Sequence, residues 1–532
     1  MDVTNDSIAD VDTTVWYNWQ QAAVPMLLDL TFEACTKPFR SRFGVPFFTS
    51  ILWYRTNQDR TEASWLLRHD EGIALGRLLC DMLSVPSAAD SVEREFDRAC
   101  RRLLELCAKT QSNDESTGRA ANDQLVAVNA AFLDFYSVGA ITEPIQFYCE
   151  SMVTSWQKTD EAKDFEADLG LSAASILSAL TSSSEEMYSS AIQRELLRMA
   201  LAEEAPSGVP SAEEHARSYP WKSNNYARAR SVTTAEVEAE ISNLRKADPA
   251  QELKKLSDSH QTTAMLRARV LQAAPERIRT LSLLAERFGT IMADRRKQVM
   301  LQALAALDLL VRAVAAGARL PAEAVAMLSP DEVAGITSNG LSDLADRATQ
   351  RMESYVQVLA PWPLDDAEMS ALLSRSSTSG SWRIPTSDEA AVFEGKSGLA
   401  ALRDLDRRMG IFTSARDADA VYGSLVRVDG LQDQVIKAPC RIVLDPVRDG
   451  PAFNEGDILI ATSTTPDFVP LMMRASAIVT NTGGMFQHAA HFAREHKLPC
   501  VIGCGSATAA FQSGDVVILD TAAASLRRDA QT

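Results

Sequence analysis

Apolar residues recur at three- and four-residue intervals through most of the first 410 or so positions. The clearest stripe runs Leu281, Leu284, Phe288, Ile291 and continues Met300, Leu304, Leu307, Val311, Val314. That spacing places the apolar side chains on one face of a helix, and Gly317 and Pro321 supply stop signals at its end. Further amphipathic helices are predicted around 92–106, 171–180 and 237–256, with polar breaks at 111–121 and 204–220. A Ser/Gly-rich stretch at 374–381 reads as a loop or linker.

After about residue 420 the pattern changes. Short apolar runs at 441–444, 457–460, 477–480, 500–503 and 516–519 alternate with turn signals and with two helix-compatible segments, 468–474 and 488–496. Strands alternating with short helices predict a small α/β unit. The chain is therefore expected to be multidomain, α plus α/β. A large, mainly helical region covers 1–410, as one unit or two subdomains. A linker follows at 411–420, and a small β/α domain covers 421–532.

Composition narrows the possibilities. The 532 residues are 46% hydrophobic and 23% charged, ordinary globular proportions. The net charge of -18 argues against unaided binding to nucleic acid or an anionic membrane, which need a positive field. Residues 421–532 hold nine basic and eleven acidic side chains, so nearly all of the negative charge lies in the helical region. No run of about 18 uninterrupted apolar residues occurs; 301–316 is broken by Asp308 and Arg312. No signal peptide is evident, and the 8 Cys form no CxxC pair, so reduced thiols in a cytoplasmic protein are expected. Neither the cysteines nor Asp294 and the other acidic residues have a spacing that compels a metal site. All 8 Trp lie at or before Trp382, and such aromatics could fill a core or line a pocket for an organic molecule.

Three of the 6 His fall within nine positions: His488, His491 and His496. They follow a predicted strand and the turn Thr482-Gly483-Gly484, whose glycines let backbone N–H groups approach a ligand closely. His488 then falls at a helix start. The positive end of the helix dipole favours neutral, nucleophilic imidazole there and stabilises an added anion. His496, near the helix C-terminus, is expected in solvent.

The ordered residues from Asn454 to Asp520 resemble the mobile phosphohistidine domain of PEP-utilising enzymes, the group of PEP synthase, pyruvate phosphate dikinase, rifampin phosphotransferase and phenylphosphate synthase. They include Gly456-Asp457, Thr465-Pro466-Asp467, Thr480 with Gly483-Gly484, His488-Ala489-Ala490, Ala493-Arg494-Glu495, Pro499 and Gly514-Asp515. The resemblance covers about 421–525 and implies a swivelling β/α fold in which His488 carries a phosphoryl group. Thr482, Gly483, Gly484 and Gln487 would contact the phosphate. Gln487 stands where the family has Ser or Thr, and His491 where it has an aliphatic residue. His491 shares a helix face with His488 and, like Arg494, is a candidate auxiliary. A weaker resemblance to the central part of rifampin phosphotransferase runs from Arg287 and makes Arg295 and Arg296 candidates for an anionic group, with a solvated helix face as the plainer reading.

The resemblance further implies a phosphotransferase that works with ATP and Mg2+. No ATP-grasp unit is recognisable, so a separate ATP-grasp nucleotide-binding subunit is expected to bind them and to charge His488, the transient phosphohistidine being the only covalent group. The acceptor would be a small molecule with a hydroxyl or carboxylate, an aromatic one among the candidates. Two other readings stay open: an interaction module that retains the mobile fold without catalysis, and a ligase component that forms an acyl phosphate.

Overall fold

In a computed structural model, the structure describes residues 16–22, 24–45, 47, 50–57, 60–111, 119–202, 208–226, 229–246, 248–336, 341–359, 382–383, 390–394, 420–426, 434–481, 488–505 and 507–529. As expected, a large helical region precedes a small β/α domain. The region before 410 also carries something the helical pattern does not announce: a six-stranded antiparallel sheet. Its strands are β1 (Trp16–Ala22), β2 (Ser50–Asn57), β3 (Arg60–Arg68), β4 (Ser354–Leu359), β5 (Trp382–Arg383) and β6 (Ala390–Glu394), in the order β1-β3-β2-β4-β6-β5. The β2–β4 pairing, Ser50 opposite Leu359, joins the two ends of the region around the helices.

Five helical segments position the site. They are α1 (Arg119–Gly139), α2 (Thr142–Trp156), α3 (Pro249–Ala273), α4 (Met292–Ala318) and α5 (His488–His496). The stripe from Leu281 onward is one continuous rod, 276–318, whose middle, Ala285–Ile291, is a π-helical turn. A π turn widens the helix and frees a carbonyl. Here the Gly289 carbonyl accepts from the Gln146 side-chain amide on α2. A Cβ at position 289 would stand 2.9 Å from Gln146 Cγ, so this approach needs glycine. The rod ends one residue beyond Gly317, and the left-handed cap conformation falls on Arg319 (φ 58°).

Two expectations are refined. The helix predicted over 237–256 is two helices, Thr234–Lys246 and α3. The Asp248 carboxylate accepts from Gln251 N–H at 3.0 Å and Pro249 occupies the first turn, a combination that starts a helix rather than continuing one. The polar break at 204–220 contains a short helix, Ala212–Ser218, closed by a capping box between Ser211 and Glu214. The 374–381 loop, and the 411–420 linker apart from Ala420, lie outside the described residues.

Phe32, Phe39, Phe96, Phe132, Phe135 and Phe288 are fully buried in the core of the helical region. Two of its helical stretches, 120–156 and 276–318, are long and apolar enough to cross a membrane, and 72% and 61% of their most apolar windows are buried inside the protein.

The small domain holds an eight-stranded sheet made of β7 (Ala420–Tyr422), β8 (Ser424–Val426), β9 (Val435–Ile442), β10 (Ile458–Ala461), β11 (Ala477–Thr480), β12 (Cys500–Ile502), β13 (Val516–Asp520) and β14 (Ser525–Arg528). Its order is β7-β14-β13-β9-β10-β11-β12-β8, parallel from β9 to β12. Side chains alternate across the strands. Leu459 and Ala461 pack with Ile478, Ala490, Phe492 and Ala493 on the α5 face. Ile458 and Ile460 join Val479, Val501, Phe511 and Leu519 on the other. Apolar residues on both faces are what central parallel strands require.

Candidate functional site

His488 is the first residue of α5, one loop beyond β11. Asn481 anchors the strand exit: its N–H donates to Ala461 O at 3.0 Å, and its amide exchanges bonds with Thr508 at 2.7 and 3.0 Å. Four expected phosphate contacts, Thr482, Gly483, Gly484 and Gln487, lie outside the described residues.

His488 is half-buried and Nδ1 lies 2.9 Å from the Thr464 hydroxyl, while Nε2 is shielded and has no partner among the described residues. A ring that donates Nδ1–H to Thr464 keeps its Nε2 lone pair free, the tautomer a nucleophile needs. Burial, reinforced by the nearby Lys297 ammonium and by His491 and His496, holds the His488 pKa well below its usual value, so the ring is neutral at pH 7. The direction matches the sequence-based expectation; the main cause is burial.

His488 opens into a cavity of about 190 Å3 lined on one side by the helical region and on the other by Ser463, Thr464, Thr465 and α5. Trp65, Tyr136, Tyr226, Met187 and Leu301 form much of the apolar lining, and Phe492 and His491 add to it from α5. Trp65, Tyr136 and Tyr226 belong both to the core and to the cavity lining.

The charged lining comes chiefly from α4. Ala293, Asp294, Arg296, Lys297, Met300 and Leu301 face the cavity, which is one helix face. Arg295 points away: it pairs with Asp97 at the surface and lies over the Phe96 ring at 5.8 Å. Arg296 is tied down by a two-pronged bond to Glu143 on α2, by Gly139 O at 2.9 Å and by the Tyr136 ring at 4.9 Å. The pair is satisfied within the fold and contributes little net charge.

Three further groups, none of them among the sequence-derived candidates, complete the lining. Lys297 is pushed down to about 8 by burial, against the pull of Asp294 and Asp467. Asp294 is pushed up to about 7 by burial, while Tyr188 N–H donates to its Oδ2 at 3.0 Å. Glu495 on α5 is likewise raised to about 7 by burial and accepts from the Ser190 hydroxyl of the helical region. Asp294 and Lys297 lie three positions apart on one face of α4, the signal a helical-wheel reading could have used.

Arg494 does not line the cavity. It lies in the seam between the two parts, where its Nη2 donates to Thr181 O at 3.4 Å and its carbonyl accepts from Ser259 on α3 at 3.2 Å. Asn225 donates to Asp467 at 3.2 Å across the same seam. His496 is partly buried rather than free in solvent. It stacks on Phe492 with centroids 4.1 Å apart, and burial lowers its pKa to about 4. Among the described residues no group of three or more His, Cys, Asp or Glu is placed to hold a metal.

Residues 453–524 match the family described as "PEP-utilising enzyme, mobile domain". Part of the chain is 43% identical over 81 residues to a protein named probable phosphoenolpyruvate synthase of Staphylothermus marinus, covering 15% of this chain and 10% of that one. It is 41% identical over 98 residues to phosphoenolpyruvate synthase of Pseudomonas aeruginosa (18% and 12%). With a probable phosphoenolpyruvate synthase of Methanothermobacter thermautotrophicus the identity is 31% over 159 residues (30% and 23%). The chain thus spans less than a quarter of the length of these curated relatives.

Proposed function

Taking residues 453–524 as a PEP-utilising enzyme mobile domain, we propose that the chain is a phosphotransferase component in which His488 Nε2 carries a phosphoryl group to a small-molecule acceptor. The observation that supports this most directly is the junction itself. A neutral, Nδ1-anchored histidine at a helix start opens into a cavity whose opposite wall comes from a different part of the chain. A covalent carrier divides one transfer into two steps at two sites, and the cavity suits the second.

On this reading the first step takes place elsewhere, on an ATP-grasp partner that binds ATP and Mg2+ in the cytoplasm. The domain from about 421 onward swings between the two, tethered through 411–420. The aromatic lining fits an apolar or aromatic acceptor. The test is incubation with ATP, Mg2+ and a candidate partner, followed by intact-mass measurement without acid. The expected result is a gain of one phosphoryl group that His488→Ala abolishes. A label that survives this substitution overturns the assignment.

A further inference from the structure

Three carboxylates line the cavity, Glu143, Asp294 and Glu495, and their surroundings differ. Glu495 belongs to the seam, held by Ser190. Asp294 stands on α4, one turn before Lys297, fixed through Oδ2 by the Tyr188 backbone N–H. Among the described residues Oδ1 has no protein partner, and the side chain is only partly buried because it opens into the cavity. Arg296 and Glu143 cancel each other. Lys297 is therefore the cation available to a phosphoryl group on His488, and Asp294 is the base beside it.

We infer that Asp294 is the general base of the transfer step and that the acceptor is a hydroxyl rather than a carboxylate; the inference rests on the carrier reading above. In the step, the acceptor oxygen attacks phosphorus and forms the new O–P bond while its proton passes to Asp294. The Nε2–P bond breaks and its electron pair returns to Nε2. The ring leaves as neutral imidazole, its Nδ1–H still held by Thr464. Lys297 offsets charge on the phosphoryl oxygens. An ionised carboxylate has no proton to surrender, and it would add a third anion beside Asp294 and Glu495 with Lys297 already engaged. Burial brings Asp294 close to neutral pH, where a general base works best.

The test uses the full chain phosphorylated chemically with phosphoramidate, which needs no partner. Discharge of the label is followed with water, phenol and benzoate. For the wild type, water and phenol are expected to discharge it and benzoate to leave the rate at that of water alone. Asp294→Asn is expected to take up the label normally but to discharge it roughly 100-fold or more slowly. Asp294→Glu is expected to restore part of the rate. The wild-type rate should rise with pH through a limb near 7 that Asp294→Asn lacks. The charged and titratable groups around Asp294 are Lys297 and Arg296 on its own helix, Glu143 on α2, the Tyr188 phenol, Glu495, His488 and His491 on α5, and Asp467. Lys297→Gln tests whether the limb belongs to the lysine instead. Discharge of Asp294→Asn at the wild-type rate, or a benzoate-dependent discharge, overturns the inference while leaving the carrier reading intact. A label still present in His488→Ala overturns the carrier reading itself.

Discussion

The two walls of the cavity solve the problem of buried charge differently. On the helical side, charges find partners within their own fold: Arg296 with Glu143, Arg267 with Glu286. On the α5 side, the charged residues reach outward. Glu495 meets Ser190, and Arg494 meets Thr181 and Ser259. The first kind of pairing belongs to a structure made once, during folding. The second suits the proposed carrier, whose polar groups would exchange protein for water on separating.

The sharpest way to break this contrast is Glu143→Gln, which leaves the Arg296 guanidinium buried without its counter-charge. A loss of about 3 kcal/mol in the stability of the helical region is expected, read by denaturant unfolding, with the α5 side unaffected. A smaller effect comes from Thr464→Val, which removes the Nδ1 partner of His488. Labelling of His488 by phosphoramidate should slow about tenfold, and an unchanged rate would show that Thr464 does not set the tautomer.

Next comes a pH effect at the seam. The Glu495 carboxyl is raised from an ordinary 4.5 to about 7 when docked, beside Ser190, Glu186, Asp294 and Arg494. A raised acid favours the docked state while protonated, so its contribution is full below about 4.5 and is lost as pH rises to 7. Glu495→Gln should therefore dock on the order of 100-fold more tightly than wild type at pH 8, as a shift of this size implies, and equally near pH 4.5. Energy transfer between dyes on the two parts would read the difference. The smallest effect belongs to Arg295→Ala. Its pair with Asp97 is solvent-exposed, and its removal should cost less than about 1 kcal/mol by thermal unfolding.

The small domain was legible because its information is local. An ordered string of turn residues, short apolar runs and His488 fall within about seventy positions, and the structure puts β11 and α5 at the expected bounds. The six-stranded sheet was not, since its β2–β4 pairing joins residues some 300 positions apart and no local pattern names that partner. The α4 wall lay in between. Its sequence contains Asp294, Arg295, Arg296 and Lys297 in a row, and helical geometry alone divides them into a cavity face and a solvent face. Which face turns inward depends on what packs against it: Glu143 from α2 and the Tyr136 ring from α1.

The wide turn at Ala285–Ile291 has a consequence for how this family of shapes can vary over evolutionary time. Within a regular helix, gaining or losing one residue rotates everything beyond it by about 100°, which from 292 onward would carry Lys297 off the cavity face. A π turn holds one surplus residue as slack. A single-residue deletion there would regularise the helix and leave the orientation of both flanks intact, so the rod has a place where its length is negotiable and the aim of its lysine is not.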